Sequence, residues 1–85
     1  MENYPKTLFM ADSVKTPEYK RLLLILTEAR KGIGLSQREF SRKIGMYDTY
    51  CEKIENGRRR LDLIELMQYC KGLNLDPASL IKDLS

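Results

Sequence analysis

The segment from Ser36 to Gly57, SQREFSRKIGMYDTYCEKIENG, constrains this chain more than any other stretch of it. Ser36 and Glu39 form an S-x-x-E capping box, in which each side chain satisfies an otherwise orphaned backbone N–H, so a helix starts here. Phe40 and Ile44 face inward, four positions apart. Gly45 then ends this helix, because glycine takes the left-handed turn at little steric cost. A second helix, roughly Asp48 to Glu55, turns Cys51 and Ile54 inward and stops at Asn56-Gly57. Two short helices joined by a tight glycine turn leave few arrangements open.

The flanking sequence supplies further helices and no convincing strand. Thr16-Pro17-Glu18 is a helix start, with a hydroxyl cap, proline at the first helical position and an acid where the helix dipole favours it. That helix is expected to run to about Lys31, with Tyr19, Leu22, Leu23, Leu26 and Ala29 as its buried stripe. Leu24 and Ile25 fall off the stripe, either as a wide apolar face covered by the preceding residues or as part of a dimer contact. Gly32 and Gly34 stop it. Another helix starts at Asp62 and carries Leu63, Leu66, Met67, Cys70 and Leu73 inward, with Tyr69 beside the stripe. Asp76-Pro77 caps a last short helix bearing Leu80, Ile81 and Leu84. Residues 1–15 contain Tyr4, Leu8, Phe9 and Met10 but no sustained helical period, and read as an extended arm. The expected architecture is therefore all-α: an arm at 1–15, then one five-helix domain at 16–85.

Composition agrees with one small domain and removes several functions. The 85 residues are 42% apolar and 32% charged, and a chain this short buries only about 60–65% of its unfolded surface, so a partner subunit is a natural way to complete its core. Cys51 and Cys70 lack CxxC pairing and there is no histidine, which takes away the usual parts of a zinc site or an acid–base dyad. No enzyme, metal, cofactor or small-molecule ligand is expected. No apolar run approaches the ~18 residues of a membrane span, and MENYPKTLF lacks the basic start and long apolar stretch of a secretory leader, so a cytoplasmic location is expected. The net charge of +3 is unevenly spread. From Arg30 to Arg60, nine basic residues face four acidic ones, an excess of five positive charges that leaves −2 elsewhere. Such asymmetry favours a polyanionic partner.

In this setting the two short helices form a helix-turn-helix. Counting Gln37 as the first position, Ser41 is the small fifth residue where the helices touch, Gly45 the ninth at the turn, and Cys51 and Ile54 the fifteenth and eighteenth. LSQREFSRKIG followed by IENGRRRLDLIEL is similar to the phage-repressor-like (lambda repressor/Cro, or XRE-type) helix-turn-helix family, over Pro17 to about Leu80. The resemblance implies a lambda-repressor-like fold and a sequence-specific regulator of transcription, a dimeric repressor that binds double-stranded operator DNA. In phage repressors, which exemplify this docking geometry, the second helix of the unit lies in the major groove. The implied base readers are Tyr47, Asp48, Thr49 and Lys53. Gln37 resembles the family glutamine that anchors a phosphate or braces a reader, and Arg58 and Arg59, with the backbone at Asn56-Gly57 and with Arg60 alongside, are implied phosphate contacts. Arg30 and Glu55 look like the family's structural ion pair. Leu80, Ile81 and Leu84 can simply cap the core, or they form a dimer contact, since they stand where relatives often pair.

The sequence departs from the family pattern at four places. The family usually has a hydroxyl or small residue at the position of Tyr47, a neutral or basic one at Asp48, a small one at Tyr50 and an aliphatic one at Cys51. Asp48 has two readings: a cap that accepts from the free N–H groups of the recognition helix, or a carboxylate that accepts from the N4 amino group of cytosine. Tyr50 can pack inside or lie on the surface. The departures also fit another use of the same fold, a protein-interaction module. Antitoxins and restriction–modification controllers share this fold and length as well, and the residues do not separate them.

Overall fold

The computed structural model describes residues 13–85 of the chain. A 3-10 turn at Ser13–Lys15 leads into α1 (Pro17–Gly32), α2 (Gln37–Lys43), α3 (Tyr50–Glu55), α4 (Leu63–Leu73) and α5 (Pro77–Leu84). The described residues contain no strand. The fold is the expected five-helix, lambda-repressor-like arrangement. The last three residues of the expected arm belong to the 3-10 turn; the rest of it lies outside the described residues.

Helix ends follow the local chemistry. The Thr16 hydroxyl accepts from Tyr19 N at 3.2 Å and opens α1. At α2 both halves of the capping box form, Glu39 N to Ser36 Oγ at 3.0 Å and Ser36 N to Glu39 Oε1 at 2.8 Å. A second capping box, not anticipated from the sequence, joins Asp62 and Glu65 at the start of α4. The start of α3 differs from expectation. Tyr50 N donates to Tyr47 O at 3.0 Å, so Tyr47 to Tyr50 make a turn and the helix begins two residues later than Asp48.

The core draws on every helix: Leu22 and Leu26 from α1, Phe40 from α2, Tyr50, Cys51 and Ile54 from α3, Tyr69, Cys70 and Leu73 from α4, and Leu80 from α5. Tyr50 is therefore an inside residue. Ile25 is partly buried against this cluster, whereas Leu24 is 60% exposed. On α4 the inward stripe is Leu66, Tyr69, Cys70 and Leu73, while Leu63 and Met67 are exposed. The stripe turns because Tyr69 fills the centre of the molecule, its ring 4.8 Å from Phe40 and 6.4 Å from Tyr50. Its hydroxyl lies 3.0 Å from Cys51 Sγ, which gives the buried phenol a polar partner. Gly72 permits the close approach of α4 to α2: a Cβ there would lie 2.6 Å from Ile44 Cγ2 and 3.1 Å from a Phe40 ring carbon.

Candidate nucleic-acid interface

Ser41 couples the two helices of the unit. Its buried hydroxyl donates to Gln37 O at 2.9 Å within α2 and accepts from Cys51 N at 2.9 Å in α3. The fifth position thus supplies a bond as well as a small volume. With Cys51 and Ile54 both buried, the opposite side of α3 has to face outward.

The inner end of α3 is held by the Arg30–Glu55 pair. Arg30 Nε reaches Glu55 Oε2 at 2.7 Å and Nη2 reaches Oε1 at 3.1 Å. The two side chains are only 9% and 4% exposed. Arg30 Nη1 also donates to Leu35 O at 2.8 Å. Glu55 collects two further bonds, from Gln37 Nε2 at 2.9 Å and Cys51 Sγ at 3.2 Å. Burial alone would raise the Glu55 carboxyl, but the bonds from Arg30, Gln37 and Cys51 outweigh it and hold the group below the usual carboxylate range. The Glu55 bond likewise raises Arg30. Of the two roles expected for Gln37, anchoring a phosphate or bracing a reader, its side chain is bonded to neither: it braces the buried carboxylate that fixes the end of α3.

The outer face gathers the remaining candidates. Tyr47 and Thr49 are exposed, and Lys53 Nζ stands 5.4 Å from the centre of the Tyr47 ring. Tyr47 in turn meets Tyr50 edge-on at 5.6 Å. Asp48 does not cap the helix, because the N-cap position falls on Thr49 and no side chain bonds there. Instead Arg42 grips the Asp48 carboxylate with two bonds, Nε to Oδ1 at 2.8 Å and Nη2 to Oδ2 at 3.0 Å. Arg38 Nε lies 3.7 Å from Oδ2. The turn before α3 leaves Asp48 one residue short of the cap and beside the arginines of α2, and a bidentate charge-assisted contact outcompetes bonds to neutral N–H groups. This contact holds the Asp48 carboxyl below its ordinary range and raises Arg42.

Arg38 and Arg42 are functional candidates that the sequence alone did not single out. Their signal was available: two arginines four apart on the outward side of α2, one turn from the start of the recognition helix. What could not be seen was which acid they would meet.

Beyond α3 the three arginines separate. Arg58 pairs with Glu52, which also accepts from Asn56 Nδ2 at 2.6 Å. Arg59 turns back to Glu65, with bonds of 2.6 Å and 3.0 Å, and its guanidinium lies 5.1 Å from the centre of the Tyr50 ring. Arg60 is exposed. The backbone amides from Asn56 to Arg59 are bonded within the chain. Asn56 N donates to Glu52 O, Gly57 N to Ile54 O, and Arg58 N and Arg59 N both to Lys53 O. These amides close the end of α3, so the positive charge offered around this turn comes from side chains. Of the dimer candidates, Leu80 is core at 4% exposure, and only Ile81 and Leu84 present surface.

No helix among the described residues is long and apolar enough to cross a membrane. A family model described as helix-turn-helix matches residues 26–80. A search of curated proteins gave no match. Among solved structures the chain is similar to an XRE-family like protein from Pseudomonas syringae pv. tomato str. DC3000, with 36% identity and a TM-score of 0.76, over 87% of this chain and 92% of that one. The helix caps, the glycine turn, the outward α3 and these two matches agree, and the chain belongs to the XRE-type helix-turn-helix family of DNA-binding regulators.

Proposed function

We propose that the protein is a sequence-specific transcriptional regulator, a dimeric repressor whose α3 enters the major groove of operator DNA. The observation that carries this reading is the division of α3: Cys51 and Ile54 are buried, while Tyr47, Asp48, Thr49 and Lys53 lie on or beside the outward side. Exposed basic residues stand on both flanks, Arg38 and Arg42 on α2 and Arg58 and Arg60 beyond α3. Base edges would be met from this outward side and the residues bonded to it, and phosphates by flanking arginines such as Arg38 and Arg58. Two protomers paired through the surface that includes Ile81 and Leu84 would set half-sites about 34 Å apart, one helical turn of DNA.

Selection from random duplex DNA tests the reading, and a two-fold symmetric site is the expected product. Affinity for that site should fall steeply with salt, with a slope close to −0.9 per phosphate contact. A flat salt response and no preferred sequence would remove the proposal. Arg58→Glu should abolish DNA binding, whereas a protein contact anchored on Tyr47 would survive it. Arg59 is the wrong residue for that comparison, because its bond to Glu65 and its packing on Tyr50 make reversal there a change in folding.

A further inference from the structure

The acid at the start of the recognition helix is bound to an arginine in a geometry that leaves the arginine's reading edge open. Arg42 uses Nε and one Nη2 proton on Asp48. A guanidinium carries five N–H donors, so both protons of Nη1 and the second of Nη2 stay unoccupied by this carboxylate. That Nη1–Nη2 edge presents two parallel N–H groups, as a fork onto O6 and N7 of guanine requires. The Asp48 side chain is 45% exposed and the Arg42 side chain 61% exposed, so the pair sits at the surface with room for a further ligand.

We infer that Arg42 is a specificity-determining residue that reads guanine, and that Asp48 is a positioning residue which holds its guanidinium beside the start of α3. This inference rests on the DNA-binding reading above. Three observations support the division of roles. The bidentate contact removes rotamer freedom that a lone surface arginine would otherwise lose on binding, so Arg42 meets the groove already oriented. The Asp48 carboxylate has about four lone-pair sites, and two are taken by Arg42 with Arg38 beside one of the oxygens; a carboxylate so occupied orients cations better than it accepts from a base. Its negative charge also offsets part of the field of Arg38 and Arg42, which lowers attraction to phosphates of any sequence. Asp48 thereby raises selectivity without itself touching a base.

The test uses the full chain and the duplex selected by the wild-type protein, with each G·C pair of the half-site replaced in turn. Arg42→Ala should lose discrimination at one G·C pair by roughly 5- to 150-fold, and Arg42→Lys should lose part of it at that same pair. Lysine keeps the charge without the planar fork, so its affinity for random duplex should hold while the discrimination weakens. Asp48→Asn should lose part of the discrimination at that same pair, tighten binding to random duplex, and steepen the salt slope by up to about 0.9 for each arginine freed to a phosphate. Asp48→Glu should restore part of what asparagine loses, and the double variant Arg42→Ala/Asp48→Asn should discriminate no worse than Arg42→Ala alone. If Asp48→Asn removes the preference equally with or without Arg42, Asp48 itself reads the cytosine and the inference is overturned. It is equally overturned if none of these variants changes the preference at any position. If the wild-type chain selects no duplex, the DNA-binding reading falls and carries this inference with it. Thermal unfolding of each variant should stay close to wild type, since both side chains lie at the surface and an exposed ion pair contributes little to stability.

Discussion

Removing the guanidinium of Arg30 would leave the Glu55 carboxylate among Cys51, Gln37 and the core with its main counter-charge gone. Stranding a buried charge of this kind typically costs about 3–5 kcal/mol. Arg30→Ala is therefore expected to lower the urea midpoint strongly, and its loss of DNA affinity should follow the folded fraction rather than report a direct contact. The nearby thiol carries a second prediction. Burial pushes Cys51 up to about 12, and although the bond with Tyr69 works against this, the Glu55 carboxylate adds to it. A group kept as thiol is a poor nucleophile, so Cys51 should label with a thiol reagent at pH 8 only as fast as the fold opens, and immediately in denaturant. Rapid labelling of the folded protein would contradict the burial. These side chains also show where sequence was informative. Cys51 could be placed inside from its spacing to Ile54, and the Arg30–Glu55 pair from resemblance. The partners of Asp48, six and ten residues back, could not, because a carboxylate beside a helix start offers a cap and an ion pair equally well until the geometry of the turn is known.

At the scale of elements, glycine shows the difference between local and tertiary causes. Gly45 adopts φ +77°, and a Cβ added there would meet nothing within 4 Å, so its requirement is a property of the turn alone. Gly72 has ordinary helical backbone, and only the facing helix demands it. Gly72→Ala should cost about 1–3 kcal/mol, because Ile44 and Phe40 have to move. Gly32→Ala, at the end of α1 with an open surrounding and no positive φ, should be neutral or stabilise by up to about 1 kcal/mol. Thermal or urea unfolding of the two variants checks the contrast, and equal effects would mean that the α2–α4 approach is looser than described. The same distinction explains the helix boundaries. The starts at Pro17 and Gln37 and the turn at Gly45 were legible because cap and helix lie within four residues of each other. The stripe on α4 was misread by periodicity, since Leu63 and Met67 continue an apolar pattern as well as Tyr69 does, and a leucine-based stripe ignores the size of the space at the centre of the bundle.

Among the described residues, four acids are held down by the groups that bond them. Glu39, Asp48, Glu55 and Glu65 are each held below the usual carboxylate range, by Ser36, by Arg42, by Arg30, Gln37 and Cys51 against burial, and by Arg59 respectively. A carboxylate whose folded value lies below its unfolded one contributes stability above the unfolded value, near pH 4, and loses it as pH falls through the folded value. The urea midpoint should therefore be nearly level from about pH 7 to 5 and drop below about pH 4. Glu55→Gln should start lower and drop less, and a midpoint that rises on acidification would refute the pairing. By itself the sequence determined that this is an all-helical chain with a helix-turn-helix whose second helix turns Cys51 and Ile54 inward, because caps, glycine turns and apolar spacing act over a few residues. Only the tertiary structure decided that Tyr69 occupies the centre, that Leu80 is core, that the amides after Asn56 are spent on the helix end, and that Arg42 rather than a helix cap holds Asp48. Each of those depends on which side chains two separate helices bring within bonding distance, and that follows from how the helices pack.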